Sequence, residues 1–394
     1  MNLNTAGWAS AAQRLIARLR SESVNSSTPV TEINGGNISA TNADIALVAK
    51  GTGATLAQVP DGTIAGGDKR GQYATDWQKF RHIPAAIASG NYSTIGGGAL
   101  NTCSGLYSTI AGGFGSAATN TYSFVGGGQS QTASGQNAAI VGGFGHAATS
   151  TYSFVGGGQS NTAQTNTHAA VCGGNSNTAS GVGSAVVGGI SNFATVNYAS
   201  VVCGSNNTAS STYAFVGAGQ RNTANGLASF IGGGGYGTTR GITGYHVFPA
   251  CNAPIAATQG FTQSAVLLLA RQTTDATATI LRSDSGTADT TNQVILPNNA
   301  AYYFRGSVIA GVTGAGDTKA WTFEGAIKRG ATAASTAVVG SVVLNVIAAD
   351  AGASAWTVAI TADTTNGGIA VTVTGAAATT IRWVAKIETT EMTY

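Results

Sequence analysis

Read for apolar and polar positions, the chain follows two patterns. Between residues 91 and 235 short apolar segments such as Tyr-Ser-Phe-Val (152 to 155) recur, each followed by glycines and a polar run such as Gln-Ser-Asn-Thr-Ala. Aligning them gives ten β-branched anchors: Ile95, Ile110, Val125, Ile140, Val155, Val171, Val186, Val201, Val216 and Ile231. Their spacing is fifteen residues, with a single sixteen between Val155 and Val171. A fixed period marks stacked supersecondary units. Each period holds two strand-length pieces and two turns and leaves no room for a helix. Fifteen residues at about 3.3 Å each suit one coil of a parallel β-solenoid, and ten coils at about 4.8 Å make a shaft of roughly 45 to 50 Å.

Three residues after every anchor stands a glycine, from Gly98 to Gly234. This predicts a recurring turn with positive φ that a Cβ would obstruct. The residues flanking each anchor trade size: Phe124, Phe154, Phe215 and Phe230 precede a glycine two residues on, whereas Ala139, Ala170, Ala185 and Ser200 precede Val or Cys. Such compensation is expected of a close-packed face. Six residues after the anchor, Asn161, Asn177, Asn192, Asn207 and Asn222 line up as an axial asparagine ladder. A coil this thin cannot bury apolar residues on both of its faces, so association is expected.

The alternation of Tyr-Ser-Phe-Val-Gly-Gly-Gly with Ser-Asn-Thr-Ala-Ser-Gly resembles the head repeats of trimeric autotransporter adhesins, and equivalent repeats occur in bacteriophage tail fibres. The resemblance covers about 145 residues. It implies a left-handed parallel β-roll packed as a homotrimer. The run from Lys50 through Trp77 looks like the connector that precedes such rolls in phage tail proteins. Lys50-Gly-Thr-Gly lacks the full spacing of a phosphate-binding loop.

From residue 261 strict alternation takes over. Trp321, Phe323 and Ile327 oppose Thr322, Glu324 and Lys328, and the same parity recurs in Trp356-Val358-Ile360, Ile369-Val371-Val373 and Ile381-Trp383-Ile387. With the runs near Val266, Thr277, Gln293, Tyr302 and Val342 this predicts eight or nine strands, an antiparallel sandwich of jelly-roll type. This segment also looks like a C-terminal domain of phage tail fibres, often a receptor-binding tip. The expected fold is therefore all-β: a homotrimeric β-roll shaft and a C-terminal β-sandwich, with a short N-terminal helix. The expected organisation is residues 1–30 helix and docking segment, 31–90 connector, 91–235 shaft, 236–260 neck and 261–394 tip. The helix, near residues 5 to 20, would put Trp8, Leu15, Ile16 and Leu19 on a face that packs in a trimeric bundle or docks on a baseplate, tail or other virion protein.

Composition narrows the function. Only 8% of the residues are charged and the net charge is +3, too weak a balance for nucleic acid. No secretory leader and no apolar stretch of about 18 residues is present, which favours a virion protein made in the host cytoplasm over a cellular adhesin. Cys103, Cys172, Cys203 and Cys251 have no metal-ligand spacing and read as small buried hydrophobes. No cofactor or metal is expected. Between Asp76 and Asp275 there is no Asp or Glu, so one chain's roll cannot host the carboxylate pair of a glycosidase. No catalysis is expected.

Candidate binding residues are few. Tyr303 and Arg305 have the parity opposite the core-facing Tyr302 and Phe304, which suits either a receptor contact or a subunit contact. Asn166 and His168 sit where the sixteen-residue coil inserts its extra residue. Tyr92, Tyr107, Tyr122, Tyr152, Tyr198 and Tyr213 form a stripe read as packing rather than sugar stacking. The expected function is that of a phage tail fibre binding a host surface glycan or protein. A head or collar fibre with an assembly role, a trimeric bacterial adhesin and a polysaccharide depolymerase are the alternatives.

Overall fold

The computed structural model describes residues 52–251, 254–314 and 316–394. The N-terminal helix, with Trp8, Leu15, Ile16 and Leu19, lies outside the described residues.

The period becomes a ladder. Each anchor ends a two-residue strand that pairs in parallel with its counterparts one coil away: Val155 is opposite Ile140 on one side and Val171 on the other. All ten anchors are fully buried. A second sheet, of nine short strands from Thr102–Cys103 to Thr223–Ala224, closes the coil from the other side. Its inward residues, Cys103 and the alanines from Ala118 to Ala224, are equally buried. Only a small side chain fits there, which explains their uniformity.

The stack extends beyond the aligned repeats at both ends. Thr55–Leu56 and Thr75–Asp76 form two further parallel rungs before Thr94–Ile95, inside the stretch read as a connector. That stretch lacks the fifteen-residue period, and a non-repeating coil leaves no sequence signature. Arg70 and Arg81 hold Asp76 there, at 2.8 and 3.3 Å, with all three side chains buried. Burying those charges is tolerable only because each has partners. At the other end His246–Pro249 adds a parallel rung onto Phe230–Ile231.

Numbering the remaining strands from that rung, β1 (His246–Pro249) pairs antiparallel with β2 (Thr262–Thr273). The sheet continues through β10 (Ile381–Thr393), β5 (Ala300–Val312), β6 (Thr318–Arg329) and β7 (Ala337–Ala349), all antiparallel. The first sheet of the roll therefore runs without a break into the C-terminal region. A smaller sheet pairs β9 (Gly368–Thr374) with β3 (Thr279–Ile280), β4 (Val294–Ile295) and β8 (Thr357–Asp363). Residues of the two sheets share one core, with Trp356 5.9 Å from Trp383. All nine strand runs predicted beyond residue 261 are found among the described residues. Among the described residues the outer edge of β7 has no strand partner, and Val339, Val343, Val346 and Ile347 on this strand are about half-exposed.

A buried polar cluster ties the end of the roll to the C-terminal sheets. Glu391 accepts from Arg240 at 2.9 Å, Gln263 at 2.8 Å and Thr389 at 2.8 Å, and from Tyr245. Burial, reinforced by the Glu391 charge, pushes the Tyr245 phenol well above its usual range, so it stays a donor.

Candidate functional site

The long antiparallel sheet has one face on the core and one on solvent, as alternation requires. On the solvent face the register places Val266, Glu388, Arg305, Glu324 and Val343 side by side in one row across β2, β10, β5, β6 and β7. The next row is Leu268, Lys386, Ser307, Thr322 and Asn345. Arg305 donates its Nε to Glu388 at 2.8 Å, Lys386 pairs with the same carboxylate, and the Tyr303 hydroxyl donates to Glu324 at 3.0 Å. The result is a charged ridge with Tyr303 on its flank.

A groove lies on each side of this ridge. One, of about 420 Å³, is lined by the ridge, Ser307, Thr322, Val343, Asn345 and Lys386. The other, of about 380 Å³, is lined by Ser264, Val266, Tyr303 and Thr390. Arg305 and Glu388 border both. Lys386, and after it Arg305, hold the Glu388 carboxyl below the usual range, so it stays an acceptor. Its hydrogen bond to Glu388 raises Arg305, and the bond to Glu324 raises the Tyr303 phenol. Two cations face two anions, so the ridge offers fixed donors and acceptors with no net charge.

The sequence-predicted residues are distributed as follows. Tyr303 and Arg305 stand together on this face. Glu324, Lys386, Glu388, Thr322 and Asn345 complete it, and sequence reasoning missed their role. Parity exposes each of them, but the row depends on pairing between strands distant in sequence, with Arg305 and Glu388 alone 83 residues apart. Asn166 and His168 lie in the roll, on the coil where Thr165 takes a φ of 72°. There the His168 ring stacks on Tyr152 at 4.9 Å and the Asn166 amide donates to the Ser180 carbonyl at 2.8 Å.

The tyrosine stripe stacks on itself. Tyr73, Tyr92, Tyr107 and Tyr122 follow one another at 4.8 to 5.3 Å with nearly parallel rings. Their faces are occupied by neighbours and their edges are left outward, which supports packing over sugar stacking.

The asparagines form a ladder of a different kind from amide on amide. Each side-chain oxygen accepts the backbone N–H of the next coil's equivalent residue, as from Asn192 to Asn177 at 3.0 Å. Each side-chain nitrogen donates to a backbone carbonyl of its own coil and to a glycine carbonyl of the next, as Asn192 does to Gly188 and Gly204 at 2.9 Å. The same column continues through Asn101, Ser116, Gln131 and His146, where three different side chains interrupt the run of asparagines and hide the column from the sequence.

Two expectations need correction. Phe124 and Phe154 are exposed, and Phe215 and Phe230 half-buried, because residues flanking an inward anchor must point outward. The size trade is visible on that outer face: a ring atom of Phe124 lies 3.4 Å from where a Cβ on Gly126 would stand. Cys172, Cys203 and Cys251 are exposed, and only Cys103 is buried. Cys172 shares the outward position with Val141 and Val187.

Among the described residues no group of three potential metal ligands occurs, and no helix is long and apolar enough to cross a membrane. No family model matches the sequence, and no curated protein is similar to it. Among solved structures, the tailspike protein of Acinetobacter baumannii phage AM24 aligns with 77% of this chain at 9% identity and a TM-score of 0.20. The alignment spans about half of that protein, 53%. The tailspike protein of Acinetobacter phage vB_ApiP_P1 aligns with 86% of this chain and 80% of its own, at 9% identity and a TM-score of 0.19. Likeness at this level carries no argument about the site.

Proposed function

We propose that this chain is a virion structural protein, a phage tail fibre that docks through its N-terminal segment, works as a homotrimer and attaches to the host surface through its C-terminal tip. The observation that carries the reading is the ridge of Arg305, Glu388, Glu324 and Lys386 between two grooves, on the sheet that continues the roll. Fixed donors and acceptors beside Tyr303, Ser307, Thr322 and Asn345 suit a neutral, hydroxyl-rich ligand, which on a cell surface means glycan. Each such contact is weak, and three tips on one fibre raise avidity without new contacts.

Binding without cleavage fits the carboxylates. A glycosidase needs one of its two acids protonated at working pH, whereas Glu388 is held low by two cations. In the roll, Asp76 is enclosed by Arg70 and Arg81.

The test is binding of the intact chain to immobilised bacterial surface polysaccharides, beside Arg305→Ala and Asn345→Ala variants of unchanged circular dichroism. The expected result is retention of the parent on at least one glycan and at least tenfold weaker retention of both variants. Equal binding by all three chains would remove the ridge from the site. Release of oligosaccharides during incubation would make the protein an enzyme.

A further inference from the structure

The long sheet carries positive charge in a second place, away from the ridge. Its register sets Arg382 of β10 beside Gln272 of β2 and Val384 beside Ala270. Ala270 in turn bridges to Arg282, which follows β3. A pocket of about 440 Å³ opens there, lined by Arg271, Arg282, Arg382, Ser283, Asp284 and Ser285. Arg382 stands six residues along β10 from Glu388, about 20 Å from the ridge at about 3.3 Å per residue. The exposed side chains of Leu268, Ile309 and Val384 lie between the two.

The cations met earlier on these sheets have acids to hold. Arg305 and Lys386 share Glu388, and Arg240 holds Glu391. Among the described residues Arg271, Arg282 and Arg382 have no carboxylate within ion-pair distance. Their hydrogen bonds are as sparse. Arg271 gives one Nη to the Gly286 carbonyl at 2.6 Å, Arg382 reaches the Gln272 amide oxygen only at 3.5 Å, and the Arg282 guanidinium has no acceptor among the described residues. Asp284 is occupied in shaping its own loop, where Oδ1 accepts from the Gly286 N–H at 2.8 Å and the Asn292 amide at 2.9 Å. Asp289 accepts likewise from the N–H and hydroxyl of Thr291, both at 2.7 Å. Three guanidinium groups against these two carboxylates leave one positive charge over.

Two further observations point the same way. Arg271 Nε, Arg282 Nε and Ser283 Oγ are shut off from water without a hydrogen-bond partner. Buried polar atoms are paired as a rule, so this corner is short of acceptors. Burial, and after it the Arg271 charge, hold Arg282 below its usual range, an effect that Asp284 and Asp289 only reduce. An oxyanion answers both deficits, since it brings negative charge and its oxygens only accept. The guanidinium fork matches two such oxygens at once. We propose that this pocket binds a carboxylate or phosphate group carried by a surface polymer whose uncharged sugars lie along the ridge. The polymer as carrier rests on the attachment reading above, whereas the anion pocket rests on its own residues. One chain held at both places gains effective concentration at each.

Calorimetric titration of the intact protein at low salt tests this, with sodium glucuronate, inorganic phosphate and, as uncharged match, glucose. At least one of the two anions should bind under conditions where glucose does not, and binding by one alone names the carboxylate or the phosphate as the group. Arg282→Gln and Arg382→Gln, in chains of unchanged circular dichroism, should each weaken it at least fivefold. Lys328→Gln removes an exposed cation outside the pocket and should leave it unchanged. Raising the salt should weaken binding of the parent. Anions that bind no better than glucose, or a loss as large in Lys328→Gln as in the two arginine variants, would overturn the pocket and leave glycan binding at the ridge untouched. Anion binding that survives in a protein retained by no polysaccharide would keep the pocket and overturn its carrier.

Discussion

Gly173 and Gly174 are neighbours in one turn and obey different constraints. Gly174 has a φ of +90°, and a Cβ there would lie 2.2 Å from the Gly189 carbonyl oxygen of the next coil and 2.6 Å from the Asn177 amide nitrogen. A Cβ on Gly173 meets nothing within 4 Å. Gly174→Ala should therefore destabilise by at least about 1–3 kcal/mol, the usual cost of a strained backbone position, with the contact to Gly189 added. Gly173→Ala should change stability little. Thermal unfolding followed by circular dichroism separates them, and equal melting temperatures would remove the close approach from the account. The sequence marks Gly174 because it recurs without exception three residues after the anchor. It does not mark Tyr92, Tyr107 and Tyr122 as left-handed residues, although each has a φ of 56°. Left-handed conformations are uncommon outside glycine, so a tyrosine column gives no hint of one.

At the scale of the element, the buried polar column is a single structural device made from four residue types. Asn, Gln, Ser and His all present an acceptor to the next coil's backbone, and His146 does so with Nδ1, 3.0 Å from the Asn161 nitrogen. That contact requires a neutral imidazole. Burial holds His146 below its usual range, more strongly than its backbone contacts raise it. The unfolded chain therefore takes up the proton first, near pH 6.5. This contribution to stability is complete above that pH and is lost as pH falls through it toward the folded value. His146→Asn, the residue that fills this column five times in succession from Asn161, should flatten the fall in melting temperature between pH 7 and pH 5. An unchanged profile would exclude His146 as its source. Conserved identity was legible in the asparagines alone, since a column that changes side chain while keeping its acceptor is seen only once the backbone donors are placed.

At the scale of the molecule, short-range patterns carried far. Ten anchors gave the parallel ladder, and alternation gave every strand beyond residue 261. What escaped them depends on distant pairing: the two rungs before Thr94, the row joining Val266, Glu388, Arg305, Glu324 and Val343, and the passage of one sheet from roll to tip through β1. The parity of Tyr303 and Arg305 revealed a face, but not the Glu388 and Lys386 that make it a ridge. The same holds for the outer strip of the roll, where the size trade was visible and its direction was not. A single chain leaves that strip bare, together with the half-exposed β7, so the whole reading requires more than one copy. Light scattering of the intact chain after size separation tests this most directly. The account predicts a particle of three times 39.0 kDa. A particle of 39.0 kDa with the circular dichroism of a folded β protein would contradict it.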